Sequence, residues 1–291
     1  MTIHEASQQI RFQLFHVYDE REAGNVTELL MEHITGWKRI DRVVNKTVPL
    51  SLQQQKMLEQ YTAALLRNEP LQYVLHQAWF YDMQLYVDEN VLIPRPETEE
   101  LVDWLVKDNI SPKSGIHSQV PVNKTILDIG TGSGCIPLAI KKSLPAFDVH
   151  AADISEGALH VARKNAADQK LNIHFYELDI LAETSWEALP MFDIIVSNPP
   201  YIPESDKESM AANVLQYEPS LALFVENNDP LLFYKIIADF AKKQLKENGR
   251  IYLEIHEAMG NDIIDLYKQK GFANIELRKD MQGRDRMVRI V

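Results

Sequence analysis

The chain has 291 residues, 45% hydrophobic and 25% charged, an ordinary globular balance that fits one large or two medium domains. No stretch reaches the ~18 consecutive apolar residues of a membrane span, the opening MTIHEASQQIRFQLF lacks a signal-peptide pattern, and the single cysteine, Cys135, rules out an internal disulfide, so a soluble, cytoplasmic protein with no membrane contact is expected. The net charge of −12 argues against direct nucleic-acid binding, which calls for a basic face, and suits a basic protein partner.

The spacing predicts helices through residues 1–75. Ile10, Phe12, Leu14, Phe15 and Val17 fall in one amphipathic stretch, and Ser51 is placed to cap a helix over Leu52–Arg67 that Pro70 follows. Residues 78–88, AWFYDMQLYVD, read as a hairpin with Asp82 near its middle. In VLIPRPETEELVDWLV, Pro96 suits the first turn of a helix, and Glu97, Glu99 and Glu100 suit its positive end. The tract 109–123, with Pro112, Ser114, Gly115, Ser118 and Pro121, reads as a loop. From Lys124 strands alternate with helices. TILDI, DVHAADI, NIHFYEL, FDIIVSN and RIYLEI are strands, residues 134–144, 155–169, 230–247 and 258–270 are helices, and strands near 273–278 and 286–291 close the chain. The alternation predicts an α/β fold with a mostly parallel sheet covered on both faces.

The first motif that carries chemistry is Asp128-Ile-Gly130-Thr131-Gly132-Ser133-Gly134, between a buried strand and a helix. Glycines there allow a tight turn and close approach of a ligand. The dinucleotide fingerprint fails, because its third glycine would fall on Cys135 or Pro137, and no lysine follows to make a phosphate loop. What remains is D-x-G-x-G-x-G, which resembles the cofactor loop of class I methyltransferases, whose ligand carries no phosphate. Asp153 ends the next strand, 19 residues after Gly134, where an acid accepts hydrogen bonds from both ribose hydroxyls. Asp179 is expected at the end of a further strand near an adenine edge, with Ile180 against the ring.

The second motif is Ser197-Asn198-Pro199-Pro200-Tyr201, after the fourth strand of the series. Ligands of open α/β sheets bind beyond the carboxyl ends of strands, so Asn198 should face the same crevice as Gly132 and Asp153. The residue types fit transfer of a methyl to a planar, conjugated NH2 group. Such a nitrogen is a poor nucleophile because its lone pair is delocalised, so it must be held by both hydrogens and aimed at the sulfonium methyl. The Asn198 side-chain carbonyl and the Pro199 backbone carbonyl supply two acceptors. Pro199 and Pro200 offer no competing N–H, and Tyr201 suits a flat contact with a planar group. A glutamine amide and an adenine amine both satisfy this description.

PLQYVLHQAWFYDMQLYVDENVLIPRPETEELV, LDIGTGSGCIPLAI, IVSNPPYIP, YEPSLALF and GRDRMV together resemble the PrmC/HemK family of protein-(glutamine-N5) methyltransferases, over nearly the whole chain. The Asn-Pro-Pro-Tyr motif is shared with adenine methyltransferases; IPRPETE and YEP-x-x-AL are more specific. The resemblance implies a class I seven-stranded methyltransferase domain over 95–291, a helical N-terminal substrate-recognition domain over 1–76 and a hairpin linker over 77–94. It implies S-adenosyl-L-methionine as cofactor, S-adenosyl-L-homocysteine as product, no metal, and as substrate the glutamine of the Gly-Gly-Gln motif in class 1 peptide chain release factors. Asn198, Pro199, Pro200 and Tyr201 are then catalytic. Asp128, Gly130, Thr131, Gly132, Ser133, Gly134, Asp153, Ile154, Asp179, Ile180 and Asn198 hold the cofactor, and Arg95, Pro96, Glu97 and Thr98 rim the substrate. The chain departs from the family at Asn227-Asn228, where a glycine-rich stretch is usual, and at His256–Met259.

The remaining features read blandly. Cys135 has no legible His or Asp partner to make it a nucleophile, and His256 with Glu257 reads as an ordinary strand end. Arg278, Lys279, Arg284, Arg286 and Arg289 read as a solvated edge strand protected by charge. The alternative function, an adenine-N6 methyltransferase acting on nucleic acid, lacks a basic target-recognition region.

Overall fold

The computed structural model describes residues 1–110 and 123–291. Residues 111–122, within the expected loop 109–123, lie outside them. In chain order the elements are α1 (Ile3–Leu14), α2 (Glu20–Thr35), α3 (Arg39–Val44), α4 (Leu52–Leu65), α5 (Leu71–Leu75), β1 (Ala78–Phe80), β2 (Met83–Leu85), α6 (Pro96–Asn109), β3 (Thr125–Ile129), α7 (Cys135–Ser143), β4 (Asp148–Asp153), α8 (Glu156–Gln169), β5 (His174–Glu177), β6 (Phe192–Ser197), β7 (Ile202–Pro203), α9 (Ala212–Tyr217), β8 (Phe224–Val225), α10 (Leu232–Gln244), β9 (Leu245–Glu254), α11 (Gly260–Gln269), β10 (Ile275–Lys279) and β11 (Asp285–Ile290). They form two compact units, Met1–Gln77 with Ala211–Tyr217, and Ala78–Met210 with Glu218–Val291.

The first unit is helical, and side-chain caps start α1, α2 and α4. Thr2 with Glu5, and Ser51 with Gln54, form capping boxes at α1 and α4. Asp19 caps α2, and Gly36 ends it in the left-handed region at φ 67°. The buried faces of α1, α2 and α4 meet in a core that includes Ile10, Leu14, Leu30, Met31, Leu58 and Leu65. α9 belongs to this unit, and the Tyr217 hydroxyl donates to the Arg67 carbonyl at 2.8 Å.

The second unit opens with the hairpin β1–β2, joined by Tyr81 and Asp82, both at positive φ, as a two-residue turn between twisted strands requires. Phe80, Met83 and Leu85 are buried in this unit's own core, so the hairpin is a built-in part of it. Among the described residues its main sheet has seven strands in the order β10-β11-β9-β6-β3-β4-β5. β9, β6, β3, β4 and β5 run parallel, while β11 pairs antiparallel with both β9 and β10. Side chains alternate along these strands. Ile126, Ile194, Val196 and Tyr252 enter one core with α6 and α7. Leu127, Ile195, Ile251 and Leu253 enter another with α10 and α11. Pro96 stands in the first turn of α6, with Glu97 and Glu99 there too.

The basic tail departs from expectation. β10, with Arg278 and Lys279, is the edge strand, whereas β11 lies inside the sheet. Arg286 is largely buried and pairs with Asp280 and Glu257. Arg289 pairs with Asp108 and Glu276, and Arg278 stacks over Trp104, 3.9 Å from the ring centroid.

Candidate active site

A cavity in the second unit lies beyond the carboxyl ends of β3, β4, β5 and β6. Gly130–Ser133, Asp153, Ile154, Asp179, Ile180, Asn198, Pro199 and Pro200 line it, together with Arg95 and Thr98 from the start of α6. The loop after a strand is where an α/β sheet leaves backbone groups and side chains free for a ligand. Five of the expected residues do not line it: Asp128, Gly134, Pro96, Glu97 and Tyr201. Asp179 lines it but does not end a strand, because β5 stops two residues earlier at Glu177; its carboxylate accepts from the Leu181 N–H.

The glycine loop explains part of this. Gly134 adopts φ 78°, and a Cβ there would meet Ala162 of α8 at 3.2 Å. Its smallness serves packing of the loop against α8, while Gly130 and Gly132, also at positive φ, have open space where a Cβ would stand. Asp153 is fixed by the loop it faces. One carboxylate oxygen accepts from the Gly132 N–H at 2.8 Å and the other from the Ser155 N–H at 2.9 Å. Burial raises its pKa, against those backbone bonds, which lower it.

Asp128 is fully buried, and among the described residues neither of its carboxylate oxygens has a hydrogen-bond partner of good geometry. The hydroxyls of Thr131 and Ser133 are buried without one as well. Burial pushes the Asp128 carboxyl up to about 7, a neighbouring Asp153 adds to this, and Thr131 opposes it. Cys135 lines the cavity, but desolvation and the nearby Asp128 push its thiol up to about 12, so it carries no nucleophilic thiolate at neutral pH.

A second group surrounds the Asn-Pro-Pro-Tyr turn. The Asn198 amide nitrogen donates to the Thr98 hydroxyl at 3.2 Å. The Thr98 hydroxyl donates to Glu254 Oε2 at 2.6 Å, and the Tyr201 hydroxyl donates to Glu254 Oε1 at 3.2 Å. Glu254, the last residue of β9, is 2% exposed. Burial raises its pKa; the Thr98 bond, the Arg286 charge and the Tyr201 bond lower it. The Tyr201 ring stands edge-on to His256, and its phenol is raised by burial and by Glu254. At the rim, Glu218 is buried and accepts from Arg95 at 2.6 Å and from the Ile93 N–H at 3.2 Å. It thereby ties the IPRP segment to the YEP segment.

Sequence reasoning missed four side chains that build this site. Glu254 lay inside RIYLEI, read only as a strand. Glu218 was a motif letter without a partner, and Arg286 was assigned to a solvated edge. Asn165 on α8 is 1% exposed. Its amide bonds the carbonyls of Tyr86 and Ser133, each at 2.9 Å, and accepts from the Tyr86 N–H at 2.7 Å, so it joins the segment after the hairpin to the glycine loop. Apart from the cavity, Asp148, His150 and His174 bring possible metal-ligand atoms within 4.8 Å of one another near the amino ends of β4 and β5. Asp148 lies 3.2 Å from each imidazole, and the Tyr176 hydroxyl lies 2.9 Å from His150 Nδ1.

The comparisons with known proteins decide the family. Residues 5–75 match the PrmC N-terminal domain and residues 115–221 the methyltransferase small domain. The chain is 42% identical over 277 residues to a release factor glutamine methyltransferase of Flavobacterium psychrophilum, covering 95% of this chain and 94% of that protein. It belongs to the release factor glutamine methyltransferase family. A second member, from Bacteroides thetaiotaomicron, is 39% identical over 279 residues, with 96% of each chain covered. Among solved structures, the hMettl16 catalytic domain in complex with an RNA hairpin aligns with TM-score 0.53 at 13% identity, over 85% of each chain. That likeness is one of fold. It is the class I methyltransferase fold expected from the sequence, and the family makes the protein a methyltransferase.

Proposed function

We infer that the protein transfers a methyl group from S-adenosyl-L-methionine to the side-chain amide nitrogen, N5, of the glutamine in the Gly-Gly-Gln motif of class 1 release factors. The observation that carries this reading is the Asn198 amide. Its nitrogen is engaged by Thr98, and among the described residues its carbonyl oxygen has no donor while the residue lines the cavity. That oxygen and the Pro199 carbonyl are then the two acceptors for the substrate NH2 group.

The fit of the cofactor rests on the same wall. Asp153 holds the ribose hydroxyls with the lone pairs its backbone bonds leave free, and Ile154 and Ile180 take the faces of the adenine. Gly130–Gly134 let its amino-acid part approach the backbone, with Asp179 toward the adenine edge. The Thr131 and Ser133 hydroxyls in the cavity wall have no partner of good geometry and suit a hydrogen-bonding ligand group, and the carboxyl of Asp128, buried outside the lining, acts on a cationic group only through its charge. When bound, S-adenosyl-L-methionine supplies an electrophilic methyl on a positive sulfur and departs as the neutral S-adenosyl-L-homocysteine. The residues of the chain orient and exclude water. The amide lone pair forms the new N–C bond as the C–S bond breaks, and the proton leaves to solvent from the transiently cationic nitrogen. Catalysis is by positioning and preorganised dipoles. The leaving group is already positive, so the reaction as written needs no metal.

We also propose that residues 1–76 read the substrate protein, that 77–94 lead into the methyltransferase domain over 95–291, and that Arg95–Thr98 rim the substrate, with Arg95 held by Glu218. No described helix is long and apolar enough to cross a membrane, and a translation factor as substrate supports a cytoplasmic site of action without direct nucleic-acid binding. The adenine-N6 reading is weaker. The relatives covering nearly the whole chain are named for release factor glutamine, and the net charge is −12.

The test is to supply methyl-labelled cofactor with release factor and with nucleic acid in parallel. Label is expected in release factor, and Asn198→Ala should reduce its turnover roughly 100- to 1,000-fold, as loss of a preorganised hydrogen-bonding group does. Label in nucleic acid alone, or an undiminished Asn198→Ala protein, would refute the reading.

A further inference from the structure

The methyl acceptor must meet the oxygen end of the Asn198 amide, and an amide presents its two ends at nearly equal steric cost. Something has to choose between them. The choice is made at the cavity wall, by a relay of Asn198, Thr98 and Glu254, brought together from distant parts of the sequence. Thr98 has one hydroxyl proton, and at 2.6 Å that proton is committed to the buried Glu254 carboxylate, a charge-assisted bond stronger than a neutral one. The Thr98 oxygen then offers only lone pairs. It takes the Asn198 NH2 end at 3.2 Å. A flipped amide would set the Asn198 oxygen against those lone pairs, two acceptors facing each other. The other oxygen of Glu254 accepts from Tyr201 at 3.2 Å. One carboxylate therefore holds both ends of the Asn-Pro-Pro-Tyr turn, and the two prolines between contribute no N–H that competes.

We propose that Glu254 is the positioning residue of the reaction: acting through Thr98, it fixes the Asn198 amide with its carbonyl oxygen toward the methyl acceptor. This rests on the assignment of Asn198 as an acceptor for the substrate NH2 group. Burial of Glu254 at 2% exposure and its hydrogen bonds to Thr98 and Tyr201 would otherwise be an expensive way to end a strand, since a buried charge is retained only when it is well partnered. The positive charge acting on it comes from Arg286 of β11.

The relay predicts a polarity effect that a merely structural role does not. Glu254→Gln replaces the acceptor-only carboxylate with an amide that presents either its oxygen or its nitrogen to Thr98; where the nitrogen faces Thr98, the Thr98 proton turns toward Asn198 and the Asn198 amide flips so that its NH2 faces the acceptor's NH2. Thr98→Val keeps the volume and removes the relay; Thr98→Ser keeps the relay and removes a methyl. Turnover number, KM for the acceptor, cofactor dissociation constant by calorimetry and melting temperature are measured for all three. Thr98→Val should lower kcat roughly 10- to 100-fold, less than loss of the oriented group itself, with KM and cofactor affinity within about twofold of the wild type and thus no general loss of the pocket. Thr98→Ser should restore most of that loss, and Glu254→Gln, which keeps the relay in one of its two amide orientations, should lose kcat by no more than Thr98→Val. A Thr98→Val enzyme with wild-type kcat would overturn the proposal. So would equal losses in the Val and Ser variants, or a kcat loss matched by an equal loss of cofactor affinity. If Glu254→Gln does not fold, the Val and Ser pair decides alone. The variants are compared on whichever acceptor the wild-type enzyme labels, so failure of the release-factor reading leaves this test standing.

Discussion

Asp128 shows how burial sets a residue's behaviour against its usual chemistry. Its carboxyl, pushed up to about 7 by desolvation, is largely neutral in the ligand-free protein below that pH and ionises above it. An acid whose folded pKa is raised binds its proton more tightly folded than unfolded. The ligand-free protein is therefore expected to lose stability as pH rises from about 4 to about 7, the window between the ordinary and the raised value. A positively charged cofactor favours the ionised form. Its affinity should then be flat above about pH 7 and weaken toward tenfold per unit as pH falls below it, because binding must first release the proton. Calorimetric titration of the cofactor between pH 5.5 and 8.5 checks this, with Asp128→Asn as the control that removes the pH dependence. A profile unchanged by that substitution would assign the titration elsewhere.

At the scale of elements, the site is held by bonds that leap between segments. Asn165 is the clearest case. It bonds the Tyr86 N–H and carbonyl, which are part-buried, and the buried Ser133 carbonyl, so Asn165→Ala removes three hydrogen bonds. The cost should be about 3 kcal/mol at ~1 kcal/mol per bond, or a fall in Tm of roughly 6–12 °C at ~2–4 °C per kcal/mol. Cofactor affinity should fall with it, because the glycine loop loses its tether. Thermal melts and calorimetry of the same sample measure both. Local signals in the sequence were enough for the cap at Ser51, for Pro96 in the first turn of its helix, for a hairpin with Asp82 near its middle and for the alternation of strands and helices along the chain, because periodicity and turn chemistry report the backbone nearby. They were also enough to bring Asp153, Gly132 and Asn198 to one crevice, since strand ends converge in this fold. The partnerships of Glu254 with Thr98 and of Glu218 with Arg95 span 156 and 123 residues, and no local pattern encodes them. Arg286 was misplaced for a related reason: charge density at a chain end reads as an edge, but the antiparallel return puts β11 between β9 and β10.

At the scale of the molecule, a short Gly-Gly-Gln loop offers little area for specificity, whereas a separate helical unit with its own core offers a second surface for the substrate protein. The full chain is expected to show a much lower KM for intact release factor than for a peptide carrying only the Gly-Gly-Gln loop, and removal of residues 1–76 should narrow that difference while leaving turnover on the peptide near its original value. Steady-state kinetics on both substrates would show it. A truncated, folded enzyme that retains the full preference for intact release factor would transfer the recognition role to the second unit.

The most direct measurement of the central claim is mass spectrometry of tryptic peptides from release factor after incubation with the protein and S-adenosyl-L-methionine. The account predicts a gain of one methyl, located by fragmentation to the side-chain amide of the Gly-Gly-Gln glutamine and absent when Asn198→Ala replaces the wild type. A methyl on any other residue, or an unmodified glutamine in a reaction where the cofactor is shown to bind, would contradict it.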